Sequence, residues 1–221
     1  MLERILPAGV AVATRRDDDL DVSPFEREAE IVAGAVEKRR REFSTARACA
    51  RDALAQLGLP RGEILSGARG EPLWPEGVVG SITHCDGYRG CAVGRHSDFA
   101  AIGIDAEVDA ALPSGLLGDI ALPEERRALA ALTREDPAPS WDRLLFSIKE
   151  SVYKAWFPLA GSWLGFEDAS VSIDRARRTF SAHLLVPGPT LQGHQLDGFS
   201  GRWLAAEGLV LSAIAVPVIN R

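Results

Sequence analysis

Five charged side chains in two short segments have the types and spacing to handle a phosphoryl group. The chain has 221 residues and 25 basic ones, of which only Lys38, Lys149 and Lys154 are lysines. Two of the three fall within Phe146-Ser-Ile-Lys-Glu-Ser-Val-Tyr-Lys-Ala-Trp156. Lysine offers a compact ammonium where arginine offers a planar fork. Its retention here points to a local need for the smaller charge. Upstream, Ile102-Gly-Ile-Asp-Ala-Glu107 ends an apolar run with two carboxylates. On a strand, period-two geometry puts Asp105 and Glu107 on one side. With no lysine or arginine beside them in sequence, they repel each other. A hard divalent cation relieves that repulsion, and Mg²⁺ is held by one or two carboxylates plus substrate phosphates. The alternative is a solvated acidic turn continued by Asp109. Glu150 and Lys154 share a helix face, and Lys149 flanks them by about 100°. A plain surface ion pair is the competing reading. Against it, Leu145, Ile148, Tyr153 and Trp156 on the same helix argue for burial.

A second group is basic. Lys38-Arg-Arg-Arg41, extended by Arg47 and Arg51, makes a broad helical stripe, with Arg39 entering from the helix start. Such a stripe binds phosphates by forked, charge-assisted bonds, docks an acidic protein surface, or is simply a solvated face. Gly80-Ser-Ile-Thr-His-Cys-Asp-Gly87 places Ser81 and His84 near a strand end. Nothing around Ser81 resembles a nucleophile elbow, so phosphate or ribose contacts suit these two residues better than a triad. His96, His183 and His194 have no zinc spacing. Gly67-Ala-Arg-Gly-Glu-Pro-Leu-Trp-Pro75 is a loop stiffened by proline and anchored by Trp74, from which Arg69 can reach a ligand. There is neither a Walker A loop nor a GxGxxG turn.

These side chains need elements to carry them. A short strand is expected over Val10–Thr14, a helix from Pro24 to Val36, and a second helix over Arg41–Leu57 with Phe43, Ala46, Ala50, Ala53, Leu54 and Leu57 as its apolar face. Residues 58–80 read as a long ordered loop. Strands follow over Val78–Thr83, Gly90–Arg95 and Ala100–Asp105. Pro113–Gly118 is turn-like. Helices are expected over Pro123–Leu132 and Trp141–Trp156, the latter with Leu145, Ile148, Val152 and Trp156 along one side. Short strands close the chain at Leu164–Phe166, Ala169–Ile173, Thr179–Val186, Gly201–Ala206 and Leu209–Val216. This order suggests two α+β halves meeting near residues 97–104.

Composition narrows the function. A net charge of −6 and an isoelectric point near 5.3 argue against a general nucleic-acid binder. Asp17-Asp-Asp-Leu-Asp21 reads as an exposed acidic segment. Cys49, Cys85 and Cys91 are odd in number and form no CxxC pair, which fits a reducing cytoplasm. The first residues have no apolar signal-peptide region, and no run of apolar residues is long enough to span a membrane.

Taken together, the segments resemble the 4'-phosphopantetheinyl transferase superfamily, in particular the branch with the enterobactin synthetase component D enzymes and related broad-specificity actinobacterial enzymes. The signature pair is Gly103-Ile-Asp-Ala-Glu107 and Lys149-Glu-Ser-Val-Tyr-Lys154. Lys38-Arg-Arg-Arg-Glu-Phe with Arg47, Gly70-Glu-Pro-Leu-Trp-Pro75 and Gly80-Ser-Ile-Thr-His-Cys85 precede it in the family's order. The resemblance implies an α+β pseudo-dimer of two similar halves, residues 1–101 and 102–221, with the active site between them. It implies that the phosphopantetheine arm of coenzyme A moves to a serine of an apo acyl or peptidyl carrier protein, releasing adenosine 3',5'-bisphosphate, with Mg²⁺ required.

On this pattern Asp105, Glu107 and Glu150 are the Mg²⁺ ligands. Arg39, Arg47 and His84 meet the adenosine 3'-phosphate, with Ser81 and Arg69 nearby. Lys149 and Lys154 meet the pyrophosphate, and Glu150 is the candidate base, directly or through a metal-bound water. Basic residues of Lys38–Arg41, with Arg51, are expected to face an acidic carrier. A monomer is expected, with neither nucleic acid nor membrane as partner. The alternative is an adaptor that binds coenzyme A or carrier without transfer.

Overall fold

A two-residue Asp86-Gly87 turn, with Gly87 at φ +70°, closes the hairpin that carries the Gly-Ser-Ile-Thr-His-Cys segment. The computed structural model describes residues 1–18 and 22–218, so most of the acidic segment Asp17–Asp21 lies outside the described residues. The first sheet comprises β1 (Ala11–Arg15), β2 (Val78–Cys85) and β3 (Tyr88–Arg95), antiparallel in the order β1–β3–β2. Helices α1 (Glu26–Ile31) and α2 (Glu37–Gln56) precede β2, and α2 packs on β1 and β3. Phe43, Ala46, Ala50, Ala53 and Leu54 form its buried face, as its periodicity predicts.

The second sheet is larger. Its strands are β4 (Phe99–Val108), β5 (Ala169–Asp174), β6 (Thr179–Leu184), β9 (Gly198–Ala206) and β10 (Leu209–Pro217), in the order β4–β10–β9–β6–β5. All neighbours are antiparallel. A small hairpin, β7 (Thr190–Leu191) with β8 (His194–Gln195), interrupts it. Helices α3 (Leu116–Ile120), α4 (Pro123–Glu135) and α5 (Trp141–Ala160) lie between β4 and β5. Leu145, Ile148, Val152 and Trp156 of α5 are buried, and α5 crosses β4 and β10. The fold is therefore α+β with two sheet-and-helix halves.

Three local expectations change. The helix expected over Pro24–Val36 is only α1, because the chain turns at 32–35 and Val36 is extended, at ψ 155°, as the N-cap of α2. Lys38–Arg41 thus open α2. Leu164–Phe166 is not a strand; a single 3-10 turn over Phe166–Asp168 leads into β5. β4 does not end at Asp105, since its ladder with β10 runs on to Val108 opposite Leu209.

Each half is pinned by one buried carboxylate. In the first, Glu28 accepts from Arg51 Nη1 at 2.9 Å, from the Ile64 amide at 2.8 Å and from the Phe25 amide at 3.0 Å. In the second, Glu125 accepts from Lys149 Nζ at 2.9 Å and from the Leu122 and Val171 amides, each at 2.7 Å. Both carboxylates sit at the third position of a helix and accept the backbone N–H of its N-cap residue. Both meet a cation from the following long helix. Partnered this way, a buried charge is tolerated; alone it would be strongly destabilising.

Gly103 lets α5 close on β4. A Cβ there would lie 2.0 Å from the Ser151 carbonyl oxygen and 2.8 Å from the Ala155 amide. Both obstacles are backbone, so neither moves cheaply. Gly103→Ala is expected to destabilise the fold by about 3 kcal/mol or more, the upper end for overpacking. Urea unfolding checks this; an unchanged midpoint would mean that α5 has room to retreat.

Candidate active site

The two halves meet where β2 runs beside β4 without sharing a sheet. Side-chain hydroxyls bridge the gap. Ser81 Oγ accepts from the Ile104 amide at 3.1 Å, and Thr83 Oγ1 accepts from the Ala106 amide at 3.0 Å. Thr83 Oγ1 in turn donates to Asp105 Oδ1 at 3.2 Å. Lys154 Nζ donates to the same oxygen at 2.7 Å and to the Ile104 carbonyl at 3.1 Å. Asp105 is 4% exposed, and its Oδ2 is buried with no hydrogen-bond partner. A buried carboxylate oxygen without a donor is costly, so this atom is ready for a cationic ligand.

Glu107 and Glu150 complete the acidic group. Glu107 Oε2 accepts from Arg143 Nη1 at 3.0 Å. Burial, then the negative charge of Asp105, lift its carboxyl above the usual range, and Arg143 opposes this. Glu150 is half-buried and makes no hydrogen bond or ion pair among the described residues. Burial raises its carboxyl too; Lys154 opposes the shift and Asp105 adds to it. Among the described residues, no three His, Cys, Asp or Glu side chains form a ready-made metal cage. The chemistry nonetheless suits a hard divalent cation: an orphaned Asp105 oxygen and two carboxylates that carry charge with difficulty.

No lysine or arginine neighbours Asp105 and Glu107 along the chain, and Lys154 is expected to face them from its helix. The fold supplies two cations. Arg143, Glu150 and Lys154 lie on one stripe of α5, since seven residues return to within about 20° of the same direction. Lys154 takes Asp105 and Arg143 takes Glu107. The i, i+7 spacing of Arg143 and Glu150 was the available signal. Thr83 was also missed as a site residue, although it lies two residues from Ser81 and so on the same side of β2.

Lys149 does not face the seam in this structure. It was expected at the pyrophosphate. It is 3% exposed and donates to Glu125 Oε2, to the Phe166 carbonyl at 2.6 Å and to the Ala169 carbonyl at 3.0 Å. Three acceptors match the three N–H bonds of an ammonium. Five helical residues rotate it about 140° from Lys154, which turns it into the second half. There it fastens the Phe166–Ala169 turn to α5. That turn borders a mainly apolar pocket of about 190 Å³ beside Glu150, lined also by Val152, Tyr153, Trp163 and Leu164.

On the other side of the seam, Arg39 Nη1 lies 2.6 Å from His84 Nε2. The ring has an open edge but is crowded by protein around it. That desolvation, then the charge of Arg39, pushes its pKa down to about 4, so the imidazole is neutral at pH 7. Arg39 also approaches Glu42 at 3.6 Å. Arg69 is exposed on the 67–71 loop, and its charge reaches Tyr153 of α5.

Arg47 and Ser81 do not stand open as ligand groups. Arg47 is 5% exposed, with Nε on the Ile64 carbonyl at 2.8 Å and Nη2 on Ser66 Oγ at 3.0 Å. Burial pushes its pKa down to about 10. It orders the loop, where a phosphate contact was expected. Ser81 is buried in the seam and accepts the Ile104 amide in the middle of β4. Arg51, expected on a docking surface, is buried against Glu28. Of the remaining basic run, Lys38 pairs with Asp86, and Arg40 and Arg41 both pair with Glu37, so much of its charge is met locally.

No thiol is primed for attack. Burial pushes Cys49 up to about 11 and Cys85 up to about 12, with Glu107 and Asp105 adding to the latter, and Cys91 also rises. Among the described residues, no helix is long and apolar enough to cross a membrane.

Comparison with known proteins identifies the family. Residues 27–94 match the family described as 4'-phosphopantetheinyl transferase N-terminal domain, and residues 101–205 match the 4'-phosphopantetheinyl transferase superfamily. The chain is 53% identical over 219 residues to 4'-phosphopantetheinyl transferase Svp of Streptomyces mobaraensis, covering 98% of this chain and 89% of that one. It is 50% identical over 223 residues to 4'-phosphopantetheinyl transferase Npt of Nocardia iowensis, covering 97% and 99%. Enterobactin synthase component D of Salmonella typhi is 34% identical over 150 residues, covering 67% and 60%. The likeness thus extends further along the Streptomyces and Nocardia proteins than along component D. With matched segments on both sides of the seam and identity along nearly its whole length, the chain belongs to the 4'-phosphopantetheinyl transferase superfamily and is a transferase.

Proposed function

We propose that this enzyme moves the 4'-phosphopantetheine arm of coenzyme A to a serine hydroxyl of an apo acyl or peptidyl carrier protein, releasing adenosine 3',5'-bisphosphate. The observation that carries this reading is the group around Asp105. Its Oδ2 is buried and unpartnered, Lys154 lies on its other oxygen, and Glu150 stands unpaired nearby. Phosphoryl transfer from a pyrophosphate needs alignment and charge neutralisation more than covalent chemistry. Asp105, Glu107 and Glu150 are the residues that would hold Mg²⁺. Bound there, the ion would neutralise charge on the pyrophosphate oxygens.

The chain's own side chains supply the rest. Lys154 presents an ammonium at the seam, where it can meet a pyrophosphate oxygen without demanding bidentate geometry. Glu150, its carboxyl lifted by burial, is the base for the carrier serine, directly or through a water. The serine oxygen attacks the phosphorus that bears the pantetheine arm. The bond from that phosphorus to the bridging oxygen of the pyrophosphate breaks, and the serine proton passes to the base. The pocket beside Glu150 suits the uncharged arm. Arg39 and His84 suit the 3'-phosphate: the guanidinium brings charge, and the neutral ring gains a proton once an anion stands beside it. Arg69, on its exposed loop, is a further candidate contact. Mg²⁺ dependence, the carrier partner and a monomeric state belong to this proposal.

Three measurements test it. Incubation with coenzyme A, Mg²⁺ and a panel of apo-carriers is expected to add one phosphopantetheine mass to a carrier serine; folded protein giving no gain across the panel would reject the reading. Lys154→Arg is expected to cut kcat by about tenfold or more, because the larger planar guanidinium does not fit the place of the compact ammonium between Asp105 and the Ile104 carbonyl. Unchanged turnover would remove the argument for an ammonium. In an NMR titration, the His84 ring is expected to stay neutral down to about pH 4 in the free enzyme and to titrate at higher pH with coenzyme A bound. Since its folded pKa lies below the ordinary histidine value of 6.5, its share of stability is lost as pH falls from there towards 4. A ring pKa indifferent to coenzyme A would place the 3'-phosphate elsewhere.

A further inference from the structure

Arg143 lies in neither signature motif, yet it is the side chain that holds Glu107. Its guanidinium makes three kinds of contact. Nη1 meets Glu107 Oε2 at 3.0 Å, Nε meets the Ala110 carbonyl at 3.0 Å, and Nη2 meets the Ala111 carbonyl at 3.3 Å. The two carbonyl bonds anchor the guanidinium independently of Glu107. Both partners of the ion pair are largely shielded, at 18% and 22% side-chain exposure, so the pair is less screened than one at the open surface.

The three acidic residues are therefore not equivalent. Asp105 keeps one buried oxygen unpartnered, and Glu150 has no ion pair among the described residues. Glu107 alone is engaged by an arginine. A cation that takes Glu107 must approach a fixed positive charge, and to use Oε2 it must displace a charge-assisted bond. Because its backbone anchors remain, Arg143 stays beside the site after Glu107 has left.

We propose that Arg143 and the divalent cation compete for Glu107, so that Arg143 sets the affinity of the cation site. This rests on the reading of Asp105, Glu107 and Glu150 as cation ligands. Arg143 is a positioning residue here, acting through Glu107. In the free enzyme the site has two available carboxylates and a third held in reserve. A donor that brings its own phosphate oxygens compensates for the engaged one. Cation binding is thereby tied to the presence of the pyrophosphate.

The test is a titration of Mn²⁺, a hard-oxygen probe, followed by the electron paramagnetic resonance of the free ion, with and without coenzyme A. The chains compared are the unmodified enzyme, Arg143→Gln, Arg143→Lys and Asp105→Asn. Without coenzyme A, Arg143→Gln is expected to bind Mn²⁺ about tenfold more tightly, the scale of one lost hydrogen bond to a charged group. Arg143→Lys should fall between it and the unmodified enzyme, and Asp105→Asn should bind least. Equal or weaker binding by Arg143→Gln, with Asp105→Asn still impaired, overturns the competition and leaves the cation reading standing. No Mn²⁺ binding by the unmodified enzyme in either condition overturns both. The guanidinium ¹⁵N resonances of Arg143 in the unmodified enzyme provide a check that needs no substitution. They should move on addition of Mg²⁺; fixed resonances while the Asp105 carboxyl shifts would equally overturn the proposal.

Discussion

Everything at this site depends on how β2 and β4 are joined. A shared sheet would have joined them by a main-chain ladder and left their side chains to other tasks. Here Ser81 and Thr83 supply the bonds that the ladder would have made. One of those hydroxyls has a second bond to give, and it gives it to Asp105. The junction between the halves and the orientation of the central carboxylate are therefore one interaction. Lys154 locks it from the opposite side, and it can reach because Gly103 lets α5 lie against β4.

The two halves solve the same problem in the same way. Each has a helix whose third residue is a glutamate, and each buries that glutamate against a cation from a longer helix that follows. Glu28 thereby ties α1, α2 and the loop at Ile64 together, while Glu125 ties α4, α5 and β5. This likeness is invisible as a repeat because the cations differ, Arg51 in one half and Lys149 in the other. It also explains a lysine inside a signature motif that points away from the seam. Lys149 acts on the pocket through the turn it fastens.

Much of this was legible in the sequence, for identifiable reasons. Helical period showed the buried faces of α2 and α5, and strand period put Asp105 and Glu107 on one side. Ordered motifs pointed to the family. What could not be read was which way a charged side chain turns when several acceptors compete. Arg47, Arg51 and Lys149 have the composition of ligand residues, but each finds partners within its own half. Arg143 was hidden for the opposite reason: it is far from Glu107 in sequence and meets it only because α5 crosses β4. Ser81 and Thr83 looked like strand-end polar residues, and only the missing ladder reveals what their hydroxyls do.

The central claim is that the Thr83 hydroxyl holds Asp105 in the posture the site requires. Calorimetry of coenzyme A binding in Mg²⁺, comparing Thr83→Val and Thr83→Ser with the unmodified enzyme, tests it most directly. Valine keeps the shape and removes both hydroxyl bonds, the one to the carboxylate and the one from the Ala106 amide, whereas serine keeps both. Binding by Thr83→Val should weaken by about tenfold, the scale of one hydrogen bond to a charged group, and binding by Thr83→Ser should stay near the original. Equal affinity for Thr83→Val and the unmodified enzyme would contradict the account, because the seam would then join the two halves without shaping the site.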